Sequence, residues 1–249
     1  MSNGGTSVTI VDVDDERSAI AAGAFHLIEA TFEARDRQPT DALRSEVEEK
    51  RRHLTTTQEY HALAAITPAG QVLGTITGMY LTGVNAGFVT YLAVDPAHRR
   101  GGTGRKLRSA LVQRFRANAV TAGESDLAWV LGEVRGTSPW LRRLVRNRGA
   151  IPFDLTYYHP GVGPPDTPIH VLYRQPVGDI RIELPTGLVR QVLYAIYRRG
   201  YRVRYPLMHS GFRAMLDHLE GRPCVGLHGR FGGTGEENGG TGEKNGGAR

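Results

Sequence analysis

The chain has 249 residues, 40% hydrophobic and 22% charged, with a formal net charge of +6, a composition that excludes a disordered or fibrous chain and is long enough to bury a substantial core. A single cysteine, Cys224, excludes an internal disulfide and has no Cys or His company of the kind a zinc or redox site needs. The opening MSNGGTSVTIVDVDDE has no basic segment leading into an apolar one, so a cytoplasmic protein is expected.

In chain order, TSVTIVDV alternates as a strand, and DDERSAIAAGAFHLIEATFEA opens with acids and then spaces Ile20, Ala24, Leu27, Ile28 and Phe32 as a helix. Pro39 separates it from a second helix, TDALRSEVEEKRRHL, capped by Thr or Asp. Between Glu59 and Asp95 there is no Asp, Glu, Lys or Arg, yet glycines, threonines and Pro68 interrupt the run too often for a membrane span. Three strands are expected instead, at 60–66, 72–81 and 88–94, forming an antiparallel meander. A helix with Leu107, Ala110, Leu111 and Phe115 on one face follows, then a strand DLAWVLGEV, a short helix at 139–148 ended by Gly149, and strands AIPFDLTYY and IHVLYRQ.

After Pro176 the sequence turns to arginine-rich helices, LPTGLVRQVLYAIYRRG and HSGFRAMLDHLEG. It ends in an imperfect seven-residue repeat, GGTGEEN GGTGEKN, too polar to pack and expected to be disordered. The expected division is a first domain at 1–176, a helical extension at 177–227 and a tail at 228–249.

The stretch YLAVDPAHRRGGTGRKLRSALVQRF holds the chemistry. A strand passes through Asp95 and Pro96 into Arg99 and Arg100, then Gly101, Gly102, Thr103, Gly104 and Arg105, then a helix. Such a turn presents unpaired backbone N–H groups at the positive end of a helix dipole, a phosphate site. No acid occurs from Pro96 to Gly123, where Arg99, Arg100, Arg105, Lys106, Arg108, Arg114 and Arg116 lie. A nucleoside triphosphate loop is excluded because Gly104 is followed by Arg105 and Lys106, and a dinucleotide fingerprint because Leu107 stands where the third glycine should be.

The remaining pattern, Arg-x-x-Gly-x-Gly at Arg99, Gly102 and Gly104 after LAVDP, resembles the pyrophosphate loop of the GNAT superfamily of acyl-CoA-dependent N-acyltransferases. The resemblance in element order extends over about 6–175 and implies an α/β GNAT fold: a mixed, mostly antiparallel sheet flanked by helices, here with a C-terminal helical extension. It implies acetyl-CoA or another acyl-CoA as co-substrate, held by Leu92, Ala93 and Val94 of the strand and by Arg99 to Arg105 of the loop.

A second segment, LGEVRGTSPWLRRLVRNRGA, is similar to a pattern of the superfamily's protein amino-terminal acetylating branch. By that likeness Glu133 is the general base and Ser138 a contact to the pantetheine arm, while Val145 stands where a general-acid tyrosine is expected. Tyr157 or Tyr158 is the nearest replacement. Burial is expected to raise the Glu133 pKa toward a useful value, the rival reading being an ion pair with a nearby arginine.

The implied acceptor is a primary amine on a small molecule, peptide or protein. The alternative is a catalytically weakened acyl-CoA-binding or partner-docking module. Nucleic-acid binding lacks a recognisable motif with interleaved aromatics. Arg190, Arg198, Arg199, Arg202 and Arg204 suit a homodimer contact or an acidic acyl carrier protein.

Overall fold

The structure, a computed structural model, describes residues 7–54, 59–167 and 169–231. The elements are β1 (Thr9–Asp12), α1 (Ala19–Thr31), α2 (Thr40–Arg51), β2 (Tyr60–Ile66), β3 (Val72–Leu81), β4 (Ala86–Val94), α3 (Thr103–Thr121), β5 (Trp129–Arg135), α4 (Pro139–Arg148), β6 (Ile151–Pro152), β7 (His170–Pro176), β8 (Leu184–Pro185), α5 (Thr186–Ala195), α6 (Ser210–His218) and β9 (Cys224–Val225). One sheet runs in the order β1-β2-β3-β4-β5-β7-β6, and β8 pairs only with β9. Every neighbour in the large sheet is antiparallel except β4 and β5.

Period-two alternation explains why 60–94 carries no charge. Tyr60, Ala62 and Ala64 of β2 face Phe25, Ile28, Leu43 and Val47 of α1 and α2. Leu63 and Ala65, on the other face, meet Leu107, Leu111 and Phe115 of α3. Both faces are covered, so the strands are apolar throughout. The helix signals behave as expected: the Ser18 hydroxyl accepts from the Ala21 amide at 3.1 Å, and Gly149 ends α4 in the left-handed region at φ 62°. Gly87 lets α3 lie flat on β4, because a Cβ there would come within 1.9 Å of the Phe115 ring.

The C-terminal extension packs into this sheet. Val189, Val192, Leu193, Ile196 and Tyr197, with Phe212 and Met215 of α6, share one core cluster with Phe88, Trp129, Leu131 and Leu172. After Ala195 the helix widens into a π-helical turn, Ile196–Gly200, and a Cβ on Gly200 would stand 2.9 Å from Phe88. Residues 228–231, assigned to the tail by sequence, fold back instead: the His228 amide donates to Pro152 O at 2.9 Å, and Phe231 packs beside Leu141, Leu144 and Tyr173. The rest of the expected tail, 232–249, lies outside the described residues.

AIPFDLTYY is not one strand. β6 ends at Pro152, the Phe153 amide still donates to Leu172 O at 3.0 Å, Phe153 then bridges Leu227 instead, and the chain meets β7 again at the Tyr157–His170 bridge. Among the described residues, no helix is long and apolar enough to cross a membrane.

Candidate active site

The parallel pair β4–β5 is in register only from Ala86↔Trp129 to Val89↔Gly132. A register shift then leaves Thr90 as an extra residue, since Thr77 faces Tyr91 while Gly78 faces Val89. Such a bulge bends its strand, and the two strands part. The backbone of Leu92, Ala93 and Val94 has no strand partner on the β5 side. Parallel strands also deliver their carboxyl ends to the same edge of the sheet, β4 ending in the glycine loop and β5 in Glu133 to Arg135. Thr90, Tyr91, Glu133, Val134, Arg135, Ser138 and His170, with Phe32, Glu33 and Asp36, line a cavity of about 380 Å³ at the fork.

The loop after β4 leads directly into the start of α3. The Arg99 guanidinium donates through Nε to Val94 O at 3.1 Å, tying the loop to the strand end. Arg100 at φ 70° and Gly102 at φ 84° reverse the chain into α3, whose start has no side-chain cap. The first-turn amides of Thr103, Gly104 and Arg105 are left to a ligand. Among the described residues, neither Arg99, Arg100 nor Arg105 forms an ion pair. A Cβ on Gly104 would stand 3.5 Å from Val94 Cγ2, ordinary contact, so the protein's own packing does not require glycine there. These features fit a pyrophosphate.

Across the cavity, His159 donates through Nδ1 to Glu133 Oε1 at 2.5 Å, with both side chains almost fully buried. Glu133 Oε2 is buried without a hydrogen-bond partner. Burial works to raise the carboxyl pKa, but the charge and hydrogen bond of His159, with His170, outweigh it and hold Glu133 below the ordinary value. Burial likewise opposes the His159 imidazolium, and Glu133 overcomes it, raising His159. The expected rise at Glu133 is therefore corrected to a fall, and its partner is a histidine rather than an arginine. Arg135 is engaged elsewhere, by Asp36 at 2.5 Å and Glu33 at 2.8 Å. His170 on the same wall is lowered, chiefly by burial.

The two tyrosines separate. Tyr157 is buried beside Glu133, its hydroxyl free of any hydrogen bond of normal geometry. Burial, then the Glu133 charge, raises its pKa well above the ordinary value. Tyr158 packs toward the α5–α6 core, and its carbonyl accepts from the Tyr197 hydroxyl at 2.5 Å. Ser138 caps α4, accepting from the Trp140 amide at 3.2 Å, and lines the cavity.

Sequence reasoning missed His159, His170 and Tyr201. His159 had a signal, because two residues after Tyr157 an extended chain returns to the same face. Tyr201 had none: it arrives after the π-helical turn, its ring 4.8 Å from His159. Trp129 is a packing residue that donates to Asp179 O at 3.0 Å, and Cys224 lies in β9.

Residues 24–126, from within α1 to just before β5, match the model of the acetyltransferase (GNAT) family, whose members use acetyl-CoA, and the sheet order and helix placement described above are those of a GNAT fold. Among solved structures, a GNAT-family protein from Desulfovibrio desulfuricans is similar at 18% identity, covering 68% of this chain and 99% of its own, with a TM-score of 0.50. The NatC complex bound to Gag peptide and CoA is similar at 14% identity over 69% of this chain and 99% of its own, also at 0.50. The ribosomal-protein-S18-alanine N-acetyltransferase of Escherichia coli gives 16% identity, 70% and 96% coverage and 0.47. These likenesses are of fold. No curated protein matches in sequence.

Proposed function

We propose that this protein moves an acetyl or longer acyl group from acyl-CoA to a primary amine on a small molecule, peptide or protein, by direct attack on the thioester. One observation carries the reading: parallel β4 and β5 bring an uncapped, arginine-flanked helix start and a buried carboxylate with a free oxygen, Glu133 Oε2, to the same open fork. Acyl-CoA supplies the activated acyl group. In this reading the α3 amides and Arg99, Arg100 and Arg105 hold its pyrophosphate, and the unpaired edge of Leu92 to Val94 takes the pantetheine arm and steadies charge on the thioester oxygen.

An acceptor amine near neutral pH is mostly ammonium. Glu33, Asp36 and Glu133 line the cavity and favour its entry. A carboxylate held below its ordinary pKa is ionised at any pH where the amine reacts, and Oε2 is free to accept the proton. His170, kept neutral by burial, is a second acceptor on that wall. Tyr157, buried beside Glu133, is the hydroxyl assigned to protonating the leaving thiolate. Beyond the amine acceptor, the basic C-terminal helices are a docking face for an acidic partner such as an acyl carrier protein.

The docking-module reading is favoured by a separate observation: Val145 packs against the small cluster around Leu141 and Leu144, so α4 offers no hydroxyl at that position. Thiol release from acetyl-CoA and longer acyl-CoAs, measured across a panel of amines, decides between the two. Turnover with any pair supports the enzyme. CoA-dependent thermal stabilisation without turnover supports the module.

A further inference from the structure

The face of the C-terminal extension turned away from the fork is concave and apolar. Val84, from the turn between β3 and β4, lies with Ala195, Phe212 and Leu216 in a groove of about 440 Å³ between α5 and α6. One wall is a stripe of α5 and the π-helical turn that continues it, where Arg190, Gln191, Tyr194, Ala195 and Arg198 recur at the spacing of a single helix face. Leu207 forms the opposite rim and is 58% exposed, while Tyr194 is 44% and Met208 75% exposed. Apolar side chains gathered this way on a surface mark a contact site.

The charge around the groove is one-sided. Arg190, Arg198 and Arg199 line it, and no carboxylate does among the described residues. Arg199 is paired with Glu59 at 2.7 Å. Arg190 and Arg198 are in no ion pair among the described residues. The 232–249 segment is glycine-rich, with Ala248 as its one apolar side chain, so it cannot fill the groove. A second copy of this face would set arginine against arginine.

We propose that this groove docks an acidic amphipathic helix of a partner protein. Its apolar stripe lies along Tyr194, Leu207 and Leu216, and its carboxylates meet Arg190 and Arg198. An amphipathic helix in an apolar groove is a common recognition mode, and opposite charge on the rims sets orientation and speeds encounter. The surface lies outside the fork, so the proposal stands whether or not the protein is an active acyltransferase.

The probe is a labelled synthetic helix of about 18 residues, five turns, with leucines at one-face spacing and glutamates elsewhere, followed by fluorescence anisotropy. Saturable binding should weaken at least about tenfold between about 0.05 M and about 0.5 M salt. Arg190→Glu with Arg198→Glu should weaken it at least about tenfold more, with melting temperature unchanged, and Leu207→Asp should do so without altering the basic rim. Equal binding of a scrambled peptide of the same composition would overturn the proposal, as would equal binding of a lysine version. So would anionic vesicles binding through these residues while the peptide does not. A concentration-dependent dimer abolished by the same double substitution would assign the groove to a second copy instead.

Discussion

Glu133 and His159 are worth more together than the glutamate alone. In the proposed mechanism Glu133 is the proton acceptor, so Glu133→Gln should cut thiol release about 10²-fold at neutral pH. It should also let burial pull the His159 pKa down, which NMR titration of the imidazole would read. Intact turnover in a variant of reduced melting temperature would make Glu133 structural. His159→Gln tests the pair from the other side. Without the imidazolium, burial becomes the dominant influence on Glu133, so its pKa should rise above 4.5 and the acid limb of the pH–rate profile should move to higher pH; an unmoved limb would exclude Glu133 as the titrating base. A second buried carboxyl behaves oppositely. Glu46 of α2 is pushed up to about 8 by burial, with Oε1 unpartnered. Its folded pKa lies above its ordinary 4.5, so the folded state binds the extra proton and stability falls as pH rises from 4.5 to about 8, by at most about 1.4 kcal/mol per pH unit. Glu46→Gln should leave the melting temperature unchanged at pH 4 and raise it at pH 8, as calorimetry would show.

At the scale of elements, the loop between β4 and α3 is where sequence said most, because its chemistry is local. Strand, Asp-Pro, arginines, glycines and helix are contiguous, and each does its work within a few residues of itself. Gly102 needs a left-handed backbone, whereas Gly104 does not, and that difference makes Gly104 the cleaner probe. Gly104→Val should fold, since its Cβ meets only ordinary contacts with Val94 and Leu92. It should lose most of the CoA-dependent rise in melting temperature, because the side chain stands where a phosphate would approach the helix start. A full CoA shift in the folded variant would remove the loop from the binding site. The meander and α4 were equally legible, since alternation and caps are local signals. The Glu133 environment was not: His159 comes from a chain that leaves β7 after Phe153 and returns at Tyr157, and His170 from a later strand, so no spacing rule links them to β5. Leu92 to Val94 were expected at the co-substrate only through the family likeness, while the cause of the fork, the extra residue at Thr90, needs the β3–β4 register to be seen.

Whole-molecule packing departs from the picture of a first domain with helices appended after Pro176. The hydrophobic periodicity of α5 correctly marked a buried face, but nothing in the sequence says which surface it covers. That surface is the sheet beside the fork: Val189, Val192, Leu193, Ile196, Phe212 and Met215 close over Phe88, Trp129, Leu131 and Leu172. Full burial of such side chains stabilises by about 1.5–3 kcal/mol each, so the six together rival the whole stability of an ordinary domain, about 5–15 kcal/mol. A chain ending at Pro176 should therefore show no cooperative thermal transition and should bind a dye for exposed apolar surface. A sharp melt of 1–176 that still shifts with CoA would show the extension to be separable. Gly200→Val asks the same question without removing the core. Its Cβ would press on Phe88 at 2.9 Å, and Tyr201, the next residue, lies against both Phe88 and His159. Displacing that contact should lower turnover and disturb the His159 titration while the CoA shift persists, because the phosphate loop is anchored to β4 by Arg99 and not by the extension.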